Sequence, residues 1–190
     1  VEKETILEAI FNENLYAVRL NQAKGADVIA TSAGNYYSGL TQKEVEKFYN
    51  KMIKKAGNDP CPIMYGLNSR LVKENGKIFE RTYKIGGLYG EALERVVYWL
   101  EKAKEVAEEP NKSIIELLIK YYKSGDLRDF DAFNVAWVKN TDSNVDFVNG
   151  FTEVYGDPLG YKASWEAIVN FRDQKACERT KIISDNAQWF

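Results

Sequence analysis

Two glutamates and a tyrosine carry the chemistry that this 190-residue sequence could offer. Glu153 lies between Phe151 and Tyr155 in the run from Asn149 to Gly160, NGFTEVYGDPLG, and Glu166 lies in the next strand-like run, beyond the turn from Gly156 to Lys162. In a strand, residues two apart share a face, so Phe151, Glu153 and Tyr155 are expected to point the same way. Because a turn joins the two runs, Glu153 and Glu166 could be brought near one another. Paired carboxylates can divide acid and base roles, as in glycosidases, or grip an ammonium through charge-assisted hydrogen bonds. The competing reading is that both acids face water from the outer side of a half-exposed sheet, and that Tyr155 is a core or interface ring. On pattern alone these alternatives stay open.

Other chemistries are narrowed by composition. The chain contains no histidine, so a Ser-His-Asp or Cys-His arrangement cannot form within it, nor can an HExxH zinc site. The cluster Gly86-Gly87-Leu88-Tyr89-Gly90 lacks the Lys-Ser/Thr of a P-loop and reads as a strand-to-helix connection. Asp126, Asp129 and Asp131 fit a helix start better than a calcium loop, since no glycine or bidentate glutamate completes the pattern. Cys61 and Cys177 are too far apart for a metal pair and too few for a disulfide framework. They read as reduced thiols, Cys177 as core packing, in a cytoplasmic protein. A net charge of −2 gives no basic stripe for nucleic acid or anionic membrane. No apolar run approaches the roughly 20 residues of a membrane span, and no signal-peptide pattern is visible. The beginning at Val1 and the end on Gln188-Trp189-Phe190 read as those of a segment excised from something longer. The alternative is a mature chain whose last helix docks by Phe190.

The elements that position these residues follow from period and punctuation. Residues 2–20 read as an amphipathic helix carrying Ile6, Leu7, Ile10, Phe11, Leu15 and Val18. Thr41 with Glu44 forms a capping box opening a helix to about Ala56. Asn75-Gly76 marks a type I′ hairpin between Ser69–Glu74 and Lys77–Ile85, which sets Val72 opposite Phe79 and Glu74 opposite Lys77. Three helices follow: Glu91 to Glu108, a second capped by Ser113 with Glu116 and stopped at Ser124-Gly125, and a third capped by Asp126. After Asn140–Asn144 the period changes to two, through Val145, Phe147 and Phe151, then Trp165, Ala167, Val169 and Phe171. Asp173 caps a final helix. Helices with a small, mostly antiparallel β-core make an α+β protein. It divides into a mainly helical part over 1–140 with a hairpin near 69–85, β-core strands over 141–172, and a helix over 173–190.

The run GFTEVYGDPLG at 150–160, followed by Ser164-Trp165-Glu166, resembles the dipeptidyl peptidase III family, zinc exopeptidases that remove dipeptides from peptide N-termini. FNVAWVKNTDSNVDFVNG at 133–150, YYSGLTQKEVEKFY at 36–49 and YGLNSRLVKENG at 65–76 are similar to bacterial members, in a consistent order over nearly the whole chain. The resemblance implies one part of a two-lobed metallopeptidase, the segment before the zinc motif, whose β-core binds peptide as an added strand. It implies that Glu153 binds the free α-ammonium of the substrate, that Tyr155 positions the scissile carbonyl, and that Glu166 serves the same subsite. Val154 replaces a small polar residue of some members and keeps only its backbone for peptide pairing. Zinc would belong to the intact parent and none to this fragment, which alone would be inactive. The implied partners are a peptide with a free N-terminus and the zinc-binding lobe of the same parent, with no nucleic acid and no membrane. The alternative is a non-catalytic module that binds extended peptides or protein edges.

Overall fold

Capping and turn chemistry divide the chain largely where the sequence implies. The computed structural model describes residues 2–12, 15 and 18–190. Helix α1 (Lys3–Phe11) is shorter than the expected 2–20 helix and buries none of its residues; positions 13, 14, 16 and 17 of that expected helix lie outside the described residues. Strand β1 (Tyr37–Ser38) leads to helix α2 (Gln42–Ala56), which opens on the predicted capping box of Thr41 and Glu44. Strands β2 (Ser69–Glu74) and β3 (Lys77–Thr82) form the hairpin in the expected register, Val72 opposite Phe79 and Glu74 opposite Lys77. Asn75 and Gly76 both adopt the positive φ that a type I′ turn demands. Strand β1 lies parallel to β2, completing a three-stranded sheet in the order β1-β2-β3.

Helices α3 (Gly90–Val106), α4 (Asn111–Ser124) and α5 (Leu127–Lys139) follow, α4 packing on both neighbours. Gly125 stops α4 in the left-handed conformation and the Asp126 carboxylate caps α5 by accepting from the Arg128 amide at 2.8 Å. The expected Ser113–Glu116 cap of α4 does not form. The helix starts earlier, at Asn111, with Pro110 as its N-cap. The Ser113 hydroxyl instead donates to Glu109 at 2.7 Å, and the same carboxylate accepts from the Ser113 amide. Pro110 lacks an N–H to be satisfied, so the first turn can begin three residues sooner than a Ser113 cap would allow.

Strands β4 (Val145–Glu153) and β5 (Ser164–Phe171) make a separate two-stranded antiparallel ribbon. Helix α6 (Gln174–Asp185) is capped by Asp173, as expected, and is followed by a 3₁₀ turn at Ala187–Trp189. Cys177, expected in the core, is exposed on α6: this helix buries none of its residues among the described parts of the chain, and its apolar positions lie outside both core clusters. No helix among the described residues is long and apolar enough to cross a membrane.

Apolar burial is divided between two clusters. The larger joins α3, α4 and α5 to the ribbon through Leu118, Ile114, Tyr121, Phe130, Phe133, Phe147 and Phe151; the fully enclosed Leu118 and Ile114 each contribute roughly 2 kcal/mol of burial. The smaller gathers Leu40, Val45, Tyr49 and Leu71 from α2 and the three-stranded sheet. The loop between β4 and β5 belongs to both: Val154 and Ala163 pack on the first cluster, Leu159 and Tyr161 on the second. Gly66 makes the tight contact at the second cluster. Its φ is 90°, and a Cβ there would lie 2.7 Å from the ring of Tyr49. Gly66→Ala is therefore expected to destabilise the protein by about 2 kcal/mol or more, through backbone strain and displacement of the Tyr49 ring. Urea unfolding measures this, and an unchanged midpoint would refute the contact.

Candidate functional site

The end of the ribbon departs from simple alternation. Gly150 lies opposite Glu166 and Phe151 opposite Trp165, but the next paired position is Glu153 opposite Ser164. Strand β4 thus advances two residues while β5 advances one, which is a β-bulge centred on Thr152. Directly paired residues share a face, and Ser164 and Glu166 share a face by the strand repeat. The bulge therefore sets Glu153 on the Glu166 side of the ribbon, while Phe151 faces the other way, 4% exposed and packed against Tyr83 with ring centroids 4.9 Å apart. The expected common face for Phe151, Glu153 and Tyr155 is overturned, because the extra residue reverses the alternation after Phe151. The expected proximity of the two acids gains support from the same feature: their backbone positions lie on one side, about 7 Å apart along β5, the two-residue repeat. Thr152 joins that side, its hydroxyl donating to Glu166 Oε1 at 2.5 Å.

Past Glu153 the strand ends and two tight turns follow. The Asp157 amide donates to the Val154 carbonyl at 3.0 Å, placing Tyr155 and Gly156 at the corners of the first turn, and the Gly160 amide donates to the Asp157 carbonyl at 3.1 Å, closing the second around Pro158 and Leu159. Pro158 presets the φ that its corner needs. Tyr155 accordingly lies on a turn, not a strand, and is 65% exposed, which excludes the core-ring reading. Val154 contributes its side chain to the larger core and its carbonyl to the turn.

A buried polar cluster holds these turns. Asp157, 4% exposed, accepts from the Leu159 amide at 3.2 Å, the Tyr161 amide at 2.8 Å and the Lys162 amide at 2.9 Å. It also accepts from the Tyr37 hydroxyl of β1 at 2.6 Å. Lys162 is fully enclosed. Its ammonium donates to the Tyr49 hydroxyl, to Ser69 Oγ at 2.9 Å and to the Gly66 carbonyl at 3.1 Å, so three partners meet its three N–H groups. Glu80 lies 3.6 Å away as counter-ion and accepts from Tyr49 at 2.8 Å and Ser69 at 2.6 Å. Desolvation pushes the Lys162 ammonium down to about 8, and nearby Glu80 and Asp157 oppose that fall. Burial drives the Tyr37 and Tyr49 phenols up, reinforced by the Asp157 and Glu80 charges respectively. The Ser69–Lys162 pair has the makings of a nucleophile and base, but with Ser69 at 2% and Lys162 at 0% exposure no substrate reaches it.

None of these cluster residues is singled out by sequence. Asp157 reads as a turn former, and a lone lysine between Tyr161 and Ala163 gives no sign of burial, because its partners come from β2, β3, α2 and the 64–66 loop. At the ribbon's end lies a pocket of about 410 Å³, lined by Tyr36, Tyr83, Tyr89, Phe151, Ser164 and Trp165. The larger cavity, about 600 Å³, lies at the other end of β4, between Val106–Pro110 and Val145, and includes none of the proposed site residues. The donor set does not fit zinc: histidine is absent, both thiols are exposed, and no three Cys, Asp or Glu side chains among the described residues cluster to hold a metal. Asp126 and Asp129 are occupied as helix cap and as ion-pair partner of Lys120.

An α+β fold of this kind, with a bulged ribbon docked on helices, matches parts of known peptidases. The structure of dipeptidyl-peptidase III from Corallococcus sp. strain EGB superposes with a TM-score of 0.59 and 25% identity, covering 82% of this chain and 28% of that one. The structure of DPP III from Caldithrix abyssi superposes with a TM-score of 0.61 and 22% identity, covering 88% and 32%. Among characterised sequences, Nudix hydrolase 3 of Arabidopsis thaliana is 27% identical over 158 residues, 80% of this chain and 20% of its own length. Dipeptidyl peptidase 3 of Dictyostelium discoideum is 24% identical over 185 residues, 89% and 27%. This chain spans about a quarter of the length of those relatives. Residues 40–190 match the model of peptidase family M49, and the chain belongs to that family.

The buried lysine has a consequence that can be measured. Its folded value near 8 lies below its ordinary 10.5, so between these values the unfolded chain binds more protons. Stability that this group contributes above 10.5 is lost as pH falls through about 8; equivalently, stability should rise with pH across that window, by up to about 1.4 kcal/mol per pH unit. Between pH 8 and about 9.5, below ordinary tyrosine ionisation, urea midpoints should climb for the wild type and climb less for Lys162→Met. Equal slopes would show that Lys162 is not the titrating group.

Proposed function

We propose that this chain is the peptide-binding, metal-free part of a dipeptidyl peptidase III-like enzyme that removes dipeptides from peptide N-termini. The observation that carries the reading is the bulged end of the ribbon, which puts Glu153 and Glu166 on one side, next to an exposed Tyr155, in a chain of peptidase family M49. Two carboxylates on one side suit an ammonium, whose three N–H donors form charge-assisted hydrogen bonds with them. An extended peptide held there would advance about 7 Å over two residues, carrying its second carbonyl towards the turn that bears Tyr155. The phenol would donate to that carbonyl oxygen and orient it. The Val154 carbonyl is engaged within the turn, so its amide is the main-chain group proposed to pair with the peptide.

The residues of this chain thus bind and orient; the metal ligands of the enzyme would come from the rest of the parent polypeptide. Anchoring the amine fixes which peptide bond is presented, and correct placement of a reacting carbonyl is itself worth several kcal/mol of barrier. In the full-length gene product, Glu153→Gln should raise KM for free-amine peptides by about tenfold or more, the worth of one charged hydrogen bond, and change little for an Nα-acetylated peptide. An unchanged KM would refute the anchor. Tyr155→Phe should lower kcat more than it raises KM, by roughly 10² if its hydroxyl acts on the developing oxyanion. An unaltered kcat would remove that role. Peptide binding with no turnover by the full-length product would leave a binding module instead of a peptidase.

A further inference from the structure

The bulge adds Thr152 to the acidic side of the ribbon, and this residue has no part in the readings above. Its hydroxyl donates to Glu166 Oε1 at 2.5 Å, and both side chains are half-buried. The position directly across from Glu166 is Gly150, which offers no side chain. Glu166 therefore has no cross-strand partner at its own pair and is held from the diagonal position instead. Gly150 itself is pressed by Phe130, whose ring would lie 3.0 Å from a Cβ there, so packing fixes the backbone that carries Thr152. A free glutamate side chain keeps up to about 2 kcal/mol of rotamer entropy, and an acid that must meet a ligand charge loses it on binding. A carboxylate has about four acceptor positions, of which the threonine uses one.

We infer that Thr152 is a positioning residue for the amine end of the substrate, holding the Glu166 carboxylate beside Glu153 so that both acids meet one ammonium. This inference rests on the peptide-anchoring reading of Glu153 and Glu166. The bland counterpart is a cross-strand pair that only steadies the ribbon, worth under about 1 kcal/mol. The two differ in what a substitution moves: a steadying pair alters stability and leaves the kinetics alone, whereas a positioning residue alters substrate binding through Glu166 and through nothing else.

The test uses the full-length gene product with a free-amine peptide substrate. Thr152→Val, which keeps shape and removes the hydroxyl, should raise KM about fivefold, a fraction of the full worth of a charged hydrogen bond, with kcat within twofold of wild type. Thr152→Ser should restore KM. On a Glu166→Gln background Thr152→Val should have little further effect, since the two act as one unit in a double-mutant cycle. An unchanged KM in Thr152→Val while Glu153→Gln and Glu166→Gln both raise it would overturn this inference and leave the anchoring reading standing. A full fivefold effect that persists on the Glu166→Gln background would also overturn it, by showing that Thr152 acts elsewhere. An unchanged KM in Glu153→Gln would remove the anchoring reading itself, and with it the role of Thr152.

Discussion

Burying an ammonium is among the costlier acts in a fold, because water must be replaced donor by donor. At Lys162 the replacement is complete: a phenol, a hydroxyl and a carbonyl take its three hydrogens, with Glu80 as counter-charge and the Tyr49 ring 4.8 Å from the nitrogen. Those partners belong to α2, the 64–66 loop, β2 and β3, while the lysine belongs to the β4–β5 loop. The interaction therefore ties the ribbon's loop to the three-stranded sheet, alongside the packing of Leu159 and Tyr161 on the smaller cluster. Asp157 works from the same loop in the opposite sense, an enclosed carboxylate collecting three amides and the Tyr37 hydroxyl. Between them the two charges fix both ends of the segment 157–162, and with it the turn that holds Tyr155 outward.

The ribbon's own contribution is made at the bulge. Upstream of it, Phe147 and Phe151 turn into the helical core and hold β4 against α4 and α5. Downstream, the polar residues Glu153, Ser164 and Glu166 share a side. One strand thereby turns apolar residues into the core and then polar residues to one side. The bulge keeps the two from competing for a single face: had alternation continued, Glu153 would have pointed where Phe151 points, into apolar surroundings without a partner.

The features legible in the sequence are those fixed by neighbours along the chain. Thr41 and Glu44 find each other within one turn, Asn75-Gly76 admits few backbone shapes, and Asp126 and Asp173 cap helices that begin on the next residue. The candidate acids were legible as letters, but their orientation was not, since the bulge arises from how β4 meets β5, eleven residues away at the Glu153–Ser164 pair. Ser113 misled because Pro110 and Glu109 offered a competing start to α4. Cys177 misled because helical spacing shows that a stripe exists and not what covers it. Lys162 was invisible for the most physical reason: its burial depends on partners 82 to 113 positions away.

The bulge makes β4 a matter of parity. A strand has two sides, and each residue added or removed exchanges them for everything beyond. Substitutions along 150–155 alter one contact at a time, whereas a single insertion or deletion between Phe151 and Glu153 would turn Glu153 to the Phe151 side, while Glu166 keeps its side on β5. Length in this stretch is thus held more tightly than composition. Two chains could share the same letters here and still present opposite chemistries if they differed in count by one.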